Sequence, residues 1–320
     1  MKTMGDGCAY TCGLDGASEQ KAARELNEEP RERLGALTAF REWALQQRWL
    51  KTPTDVRYLL GFLRARKFSQ LGARELLENY WTVRTKYADW YKDLDPADNH
   101  VQDIIKQGVY IPLPGRDKQG RKLVIVRLGS MDPKGKRNTF DDVMRANLAL
   151  FDYILLDENI QVNGLVFIID LTGFSRHHFV STGVENTRKC MIVTQKALPG
   201  RIKELHYYNT GPVFESIFNM IRPMMSEKLR NRVHVHGQNL STVYGRIDQT
   251  LLPEEYLPDD YEGTCAGSIQ DICNNLAEEM RQPQARDFIR DLHSGKYGVD
   301  LALKPDTVEP QASFRKLNVS

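Results

Sequence analysis

The chain has 320 residues, a formal net charge of +2 and a hydrophobic fraction of 41%, which suits one or two globular domains with a sizeable core. The near-balance of charge argues against a general nucleic-acid binder, so any anion site has to come from a local cluster of cations. The five cysteines are odd in number and scattered along the chain, which argues against a disulfide-based scaffold.

The amino terminus, Met1–Asp6, is polar, and no apolar segment follows it, so we predict no signal peptide. Lys2 stands where N-myristoylation requires glycine. The longest apolar runs, such as Gly164–Asp170, are far shorter than the roughly 20 residues of a membrane-spanning helix. We therefore expect a cytoplasmic protein whose contact with membranes is peripheral.

The first hundred residues divide into a tail and a helical subdomain. Residues 1–18 are Gly-rich and mixed in character, and we predict that they are disordered. Residues 19–100 form the helical subdomain, because apolar residues recur with a period near 3.6 from Leu34 to Ala44. Asp55 and Ser69 are positioned to cap the next two helices.

Residues 101–280 alternate strands with helices, which indicates an α/β domain with a mostly parallel sheet covered by helices. The run 164–170 is almost continuously apolar, as expected for a strand buried on both faces. The other predicted elements are strand 122–128, helix 140–158, helix 184–197, strand 202–208, helix 212–221 and strand 233–235. From about residue 285 the helical period fades, so 281–320 is predicted to be a loosely packed tail.

The segment from Thr210 to Val233 is apolar at one end and basic at the other. Phe214 and Phe218 belong to a wide apolar helix face, and Lys228 and Arg232 follow it. One interpretation is a core helix followed by a solvated basic helix. The other is a helix that closes an apolar cavity beside a basic, membrane-facing rim.

A second basic pair, Arg201 and Lys203, alternates along a predicted strand, so both side chains lie on one face. If this strand lies near Lys228 and Arg232, four cations converge. They could then bind a phosphorylated headgroup through charge-assisted hydrogen bonds. Taken alone, such a cluster is more often a solvated surface.

Motifs for catalysis are absent from the sequence. There is no Gly-x-Ser-x-Gly elbow, no P-loop and no Gly-x-Gly-x-x-Gly. His206, His234 and His236 lie on predicted strands without a nearby acidic or cysteine ligand, so we interpret them as sheet histidines. Asp170 ends a buried strand but has no evident base or nucleophile, so we interpret it as a hydrogen-bond acceptor. We predict no catalytic residue, metal or cofactor.

Several motifs, taken in order, resemble the CRAL-TRIO family of lipid-binding proteins. The resemblance runs from about residue 30 to 280, and the branch that it resembles most is that of the animal tocopherol transfer proteins, retinaldehyde-binding proteins and clavesins. Each motif is short, but their ordered set is specific. The motifs are Phe62–Phe68, Asp117–Lys122, Gln161–Gly164, Ile202–Asn209, Ile221–Lys228 with His236-Gly237, and Leu257–Gly263.

The resemblance implies an α/β/α sandwich with an enclosed apolar pocket and a mobile lid helix at about residues 210–222. It implies a phosphoinositide site on five basic residues: Arg64, Arg201, Lys203, Lys228 and Arg232. It also implies a set of pocket residues: Met144, Asn147, Phe151, Leu165, Phe167, Ile169, Cys190, Val193, Thr194, Ala197, Leu205, Phe214, Ile217, Phe218 and Ile221.

The sequence departs from the tocopherol transfer protein at several of these positions. Asn147 and Phe151 stand where that protein has small hydroxyl residues. Lys196–Gly200 replaces the usual segment before Arg201, and Glu262 replaces the first glycine of the closing motif. The ligand is therefore left open among tocopherol, retinoids, carotenoids, other isoprenoids, sterol-like molecules and phospholipids.

Our hypothesis is a monomeric, non-enzymatic carrier that binds one hydrophobic molecule and exchanges it at phosphoinositide-containing endosomal or plasma membranes. It has no role in nucleic-acid binding. An alternative is a phosphoinositide-sensing adaptor in membrane trafficking or signalling, which docks on membranes without transferring a ligand. A lipid-modifying enzyme would need an organised acid, base or nucleophile, which the sequence does not display.

Overall fold

The computed structural model describes residues 10–305, apart from the side chains of Pro212 and Val213. Its helices and strands are, in chain order, α1 Gly16–Leu26, α2 Arg33–Gln46, β1 Leu50–Lys51, α3 Val56–Ala65, α4 Gln70–Lys86, α5 Ala88–Tyr91, α6 Asn99–Gln107, β2 Tyr110–Arg116, β3 Lys122–Arg127, α7 Phe140–Ile154, α8 Glu158–Asn163, β4 Leu165–Asp170, α9 Arg176–Ile192, β5 Ile202–Tyr208, α10 Pro212–Ile221, α11 Glu227–Arg230, β6 Val233–Val235, α12 Ser241–Tyr244, α13 Ile269–Arg281, α14 Pro283–Leu292 and β7 Gly298–Val299. A π-helical turn, Val193–Ala197, continues α9.

The helices α2, α3 and α4 pack around a core of large side chains, among which Phe40, Leu63 and Trp81 are buried. The caps predicted from the sequence are present. The Asp55 carboxylate accepts from the backbone N–H of Arg57 at 3.0 Å, and the Ser69 hydroxyl accepts from Gly72 at 3.2 Å. These bonds satisfy backbone donors that a helix start leaves unpaired, so α3 and α4 begin where the sequence places them.

The central sheet has five strands in the order β2-β3-β4-β5-β6. Strand β2 pairs with β3 in antiparallel fashion, and the other three pairings are parallel. The predicted mostly parallel sheet is therefore confirmed. In its centre, Phe167 of β4 lies in register with Val124 of β3 on one side and with Leu205 of β5 on the other.

Side-chain alternation gives this sheet two different faces. Ile125 and Ile168 point to one face, where they pack with residues near α12 and α13 such as Val243 and Ile272. Phe167 and its in-register neighbours point to the opposite face, toward α7. The first face is a continuous core, and the second encloses the cavity described below.

The prediction of a disordered tail over 1–18 is wrong for residues 10–18, and residues 1–9 lie outside the described part of the chain. The Tyr10 hydroxyl donates to Glu158, and the backbone N–H of Gly13 donates to the same carboxylate at 3.0 Å. Ser18 is buried and accepts from Asn163. The partners of this segment lie more than 140 positions away in the chain, so local composition does not reveal them.

The prediction of a loosely packed tail from about 285 is wrong over residues 283–299. Helix α14 buries Ala285, Ile289 and Leu292, and β7 pairs with β1. Helix α14 has one narrow apolar stripe, and most of its remaining side chains are charged. The composition of the segment therefore hides its amphipathic pattern.

The three sheet histidines form one stacked group on β5 and the edge strand β6. The ring of His206 lies 5.0 Å from that of His234 and 5.1 Å from that of His236. His206 Nε2 lies 2.9 Å from the Glu204 carboxylate, yet burial dominates and lowers the pKa of His206 to about 4. Among residues 10–305, no group of three or more potential ligands is arranged to hold a metal ion.

The packing of α14 generates a stability prediction. We expect the Ile289→Ala variant to lose about 2–5 kcal/mol of unfolding free energy, because it leaves a cavity in a packed core. The matched control is Leu303→Ala, since Leu303 is 61% exposed and its loss should change stability by less than about 0.5 kcal/mol. Urea denaturation of the whole chain measures both. Equal effects of the two substitutions would contradict the packing of α14.

Candidate functional site

The cavity lies between the sheet and a layer made by α7, α9 and α10, and its volume is about 280 Å³. Its floor comes from strand positions that point to this face, including Val126, Phe167 and Tyr207. No Asp, Glu, Lys or Arg is among the described side chains that line it. Such a space suits a neutral apolar molecule, since a buried charge would find no counter-charge there.

Thirteen of the fifteen pocket residues predicted from the sequence line this cavity: Met144, Asn147, Phe151, Phe167, Ile169, Cys190, Val193, Thr194, Leu205, Phe214, Ile217, Phe218 and Ile221. Leu165 and Ala197 do not. Leu165 is the first residue of β4 and is fully buried beside Ile202, in the cluster on the same face of the sheet as Phe167. Ala197 packs with Met144 and Val193 in a separate cluster under α4.

The sequence prediction missed many other wall residues, among them Phe174, Phe179 and Thr182. These three lie before Val184, where the predicted helix begins, whereas α9 begins at Arg176. Ser175 and His178 form a capping box at the start of the helix, but His178 stands where the usual sequence pattern has Glu or Gln, so the sequence gives no clear signal for this start. The backbone of Gly183 is non-helical, with φ 74° and ψ 159°, and divides α9 into two parts that both contribute to the wall.

Helix α10 covers the cavity and corresponds to the predicted lid. The rings of Phe214 and Phe218 are stacked with centroids 5.1 Å apart, and both rings contact Tyr207 of β5, at 5.2 and 5.7 Å. Met220, on the same helix, is 46% exposed. The helix therefore has apolar side chains both on the cavity and on the outer surface.

Next to α10 lies a group of cations, Arg201, Lys203, Lys228 and Arg232, which we call the basic rim. Lys203 Nζ and Arg201 Nη2 lie 3.7 and 3.5 Å from the carboxylate of Glu25 on α1. Arg201 also donates to the carbonyl of Val162. Arg232 donates to the carbonyl of Ile202, which fixes its guanidinium against β5.

The rim carries more positive charge than its carboxylate neutralises. Burial lowers the pKa of Lys203 to about 8, and the neighbouring Arg201 contributes in the same direction. Burial also lowers the pKa of Lys228, followed by the effect of Arg232. A bound anion would relieve this repulsion, which makes the rim a candidate anion site.

Arg64, the fifth basic residue predicted for this site, is not part of the rim. It is fully buried, where it donates to Glu28 at 2.7 and 2.9 Å and to Glu158 at 2.9 Å. Its helix position explains this, because Arg64 lies four residues after the buried Leu60 and shares its face. Its guanidinium donates to two carboxylates and to Gln161. Arg64 therefore cannot reach a lipid headgroup.

Arg66, in the same motif, lies close enough to Lys228 of the rim to affect it. Its charge lowers the pKa of Lys228, and the exposed Lys67 has the same effect. Arg66 is only partly buried, so its guanidinium is accessible. The motif thus divides its cations, with one inside the helical subdomain and two beside the rim.

The cavity and the rim are built from the same stretches of chain. Strand β5 carries Lys203 at its start and the cavity residues Leu205 and Tyr207 farther along. Helix α10 leads through a 3₁₀ turn to α11, which bears Lys228. A displacement of α10 therefore involves the chain that also supports the rim. Within residues 10–305, no helix is both long enough and apolar enough to cross a bilayer.

Two family models match parts of this chain, and one solved structure aligns with it. Residues 106–256 match the model of the CRAL/TRIO domain, and residues 29–101 match that of the Pinta-like UBA domain. The solved structure of Sfh5 aligns with a TM-score of 0.48 and 14% sequence identity, over 78% of this chain and 90% of that chain.

Two human relatives illustrate the similarity in sequence. Alpha-tocopherol transfer protein-like is 32% identical over 248 residues, which cover 77% of this chain and 71% of that protein. Clavesin-2 is 30% identical over 263 residues, which cover 81% and 80% of the two chains. The resemblance inferred from the motifs is thus confirmed, and the chain belongs to the CRAL/TRIO-domain family.

Proposed function

We propose that this protein is a carrier that encloses one neutral apolar molecule in the cavity and exchanges it at membranes containing phosphoinositides. The observation that carries the proposal is that two residues lining the cavity, Ile202 and Leu229, are direct chain neighbours of rim residues. Binding, docking and release are physical steps, and none of them requires a covalent reaction.

The hydrophobic effect supplies the affinity in this account. A ligand that buries about 400 Å² of apolar surface gains about 10 kcal/mol at about 25 cal/mol per Å², before the cost of ordering the ligand and the lining side chains. Exit requires α10 to separate from Tyr207, so the contacts of Phe214 and Phe218 must be lost. A membrane can replace those contacts, since its acyl chains are as apolar as the cavity wall.

The rim supplies the membrane specificity. Each basic residue near an anionic surface contributes on the order of 1 kcal/mol, and the rim presents several cations on one side of the molecule. A phosphorylated headgroup would displace Glu25 from Lys203 and Arg201. This exchange favours a ligand with more than one negative charge, because a single charge gains little over the carboxylate already present.

The triple variant Arg201→Ala, Lys228→Ala and Arg232→Ala tests the docking step. We expect its affinity for vesicles with phosphatidylinositol bisphosphate to fall roughly 100-fold, from about 1 kcal/mol lost per cation. Ligand uptake from detergent micelles should persist, because the cavity is intact. Co-sedimentation measures docking, and a fluorescent isoprenoid measures uptake.

The matched control removes three exposed cations elsewhere: Lys118, Arg188 and Arg290, which are 90, 61 and 56% exposed. This control has the same net charge as the triple variant and should dock like the original protein. Equal affinity of the two variants for the vesicles would contradict the role of the basic rim in docking. Vesicle docking without catalytic transfer of ligand between vesicles by the unaltered protein would favour the sensing adaptor over the carrier.

Lys203 makes docking dependent on pH. Its pKa of about 8 means that its charge is present at pH 7 and lost as the pH rises through 8. We therefore expect affinity for phosphoinositide vesicles to fall from pH 7.5 to pH 9, although the phosphate becomes more negative over that range. In the Lys203→Arg variant the charge persists, and the fall should disappear. An equal fall in both proteins, measured by co-sedimentation at constant ionic strength, would rule out Lys203 as its source.

A further inference from the structure

The side chain of Asn147 is a polar group without a partner in the wall of the cavity. Asn147 lies in the middle of α7 and is 7% exposed, and it lines the cavity together with Met144 and Phe151, one helical turn away on either side. Among the described residues, no group donates a hydrogen bond to its amide oxygen. A buried, unpaired amide is costly and rare in folded proteins, so it calls for an explanation.

Several polar side chains of the wall are directed to partners other than Asn147. The Tyr110 hydroxyl is directed to the sulfur of Met144, at 3.9 Å, and the ring of Phe151 packs against that of Phe167. Two other polar side chains of the wall are already bonded, since Thr182 donates to the carbonyl of His178 at 2.9 Å and Thr187 to that of Gly183 at 2.8 Å. None of these groups bonds to the Asn147 amide oxygen, which therefore has no partner among the described residues.

We propose that Asn147 is a specificity-determining residue that selects a neutral ligand bearing a hydroxyl group. The hydroxyl bonds to the Asn147 amide, and the apolar remainder of the ligand fills the cavity. This inference rests on the proposed carrier function and adds the chemical class of the ligand.

The chemistry of the amide narrows the choice of ligand. A hydroxyl both donates and accepts, so it satisfies the amide in either orientation of its oxygen and nitrogen. A hydrocarbon satisfies neither group. A charged headgroup is disfavoured, because no charged side chain is among the described residues that line the cavity. A site with a buried polar group discriminates strongly against analogues that leave that group unpaired.

The test is competitive loading of the full chain from vesicles that contain equal amounts of phytanol and its parent hydrocarbon, phytane. Mass spectrometry of the repurified protein gives the ratio of bound alcohol to bound hydrocarbon. We expect this ratio to be at least 10-fold higher for the unaltered protein than for Asn147→Leu. Asn274→Leu is the matched control, since Asn274 is exposed on α13 and does not line the cavity, and its ratio should equal that of the unaltered protein.

The outcomes separate the two proposals. If Asn147→Leu keeps the ratio of the unaltered protein, or if Asn274→Leu loses it to the same extent, the role of Asn147 is refuted while the carrier function stands. If the unaltered protein takes up neither probe, the carrier function fails, and the role of Asn147 fails with it.

Stability of the ligand-free protein tests the premise separately. Replacing an unpaired buried amide with an apolar side chain removes an unsatisfied group, so the urea midpoint of Asn147→Leu should equal or exceed that of the unaltered protein. Leucine has nearly the same shape as asparagine, so a lower midpoint would indicate that the amide is bonded in the ligand-free protein and would remove the basis of the proposal.

Discussion

The alternation of side chains along β3, β4 and β5 is the constraint on which the rest of this structure depends. Residues such as Ile125 and Ile168 pack into a continuous core on one face of the sheet. Phe167 and Leu205 point to the other face, where α7, α9 and α10 lie far enough away to leave a cavity. A shift of one residue in register would exchange the two faces, so strand pairing determines where a ligand can bind.

The cavity and the basic rim share their supporting elements, so in the proposed carrier docking at the rim can affect the cover of the cavity. An anionic surface that engages Lys228 and Arg232 lies next to the carboxyl end of α10, and α10 is also the cover of the cavity. The buried pairs of Arg64 with Glu28 and Glu158 connect the helical subdomain to α8. These pairs hold the two parts of the chain together, and the accessible cations beside them are the ones to which we assign the proposed docking.

Much of the fold and of the cavity wall could be predicted from the sequence, because strand alternation and helical period are local signals. Thirteen wall residues follow from those patterns and the family resemblance. The role of Arg64 could not be predicted in full, since its carboxylate partners lie 36 and 94 positions away. The packing of residues 10–18 could not be predicted for the same reason, because it depends on Glu158, which is distant in the sequence.

The central claim is that the cavity under α10 holds one apolar molecule. Its most direct test is the stoichiometry of lipid extracted from the protein after incubation with cell-derived membranes, compared with an Ile169→Trp variant whose larger side chain fills the cavity floor. The account predicts one neutral apolar molecule per unaltered chain and almost none in the variant. Equal amounts in both proteins, or none in the unaltered protein, would contradict it.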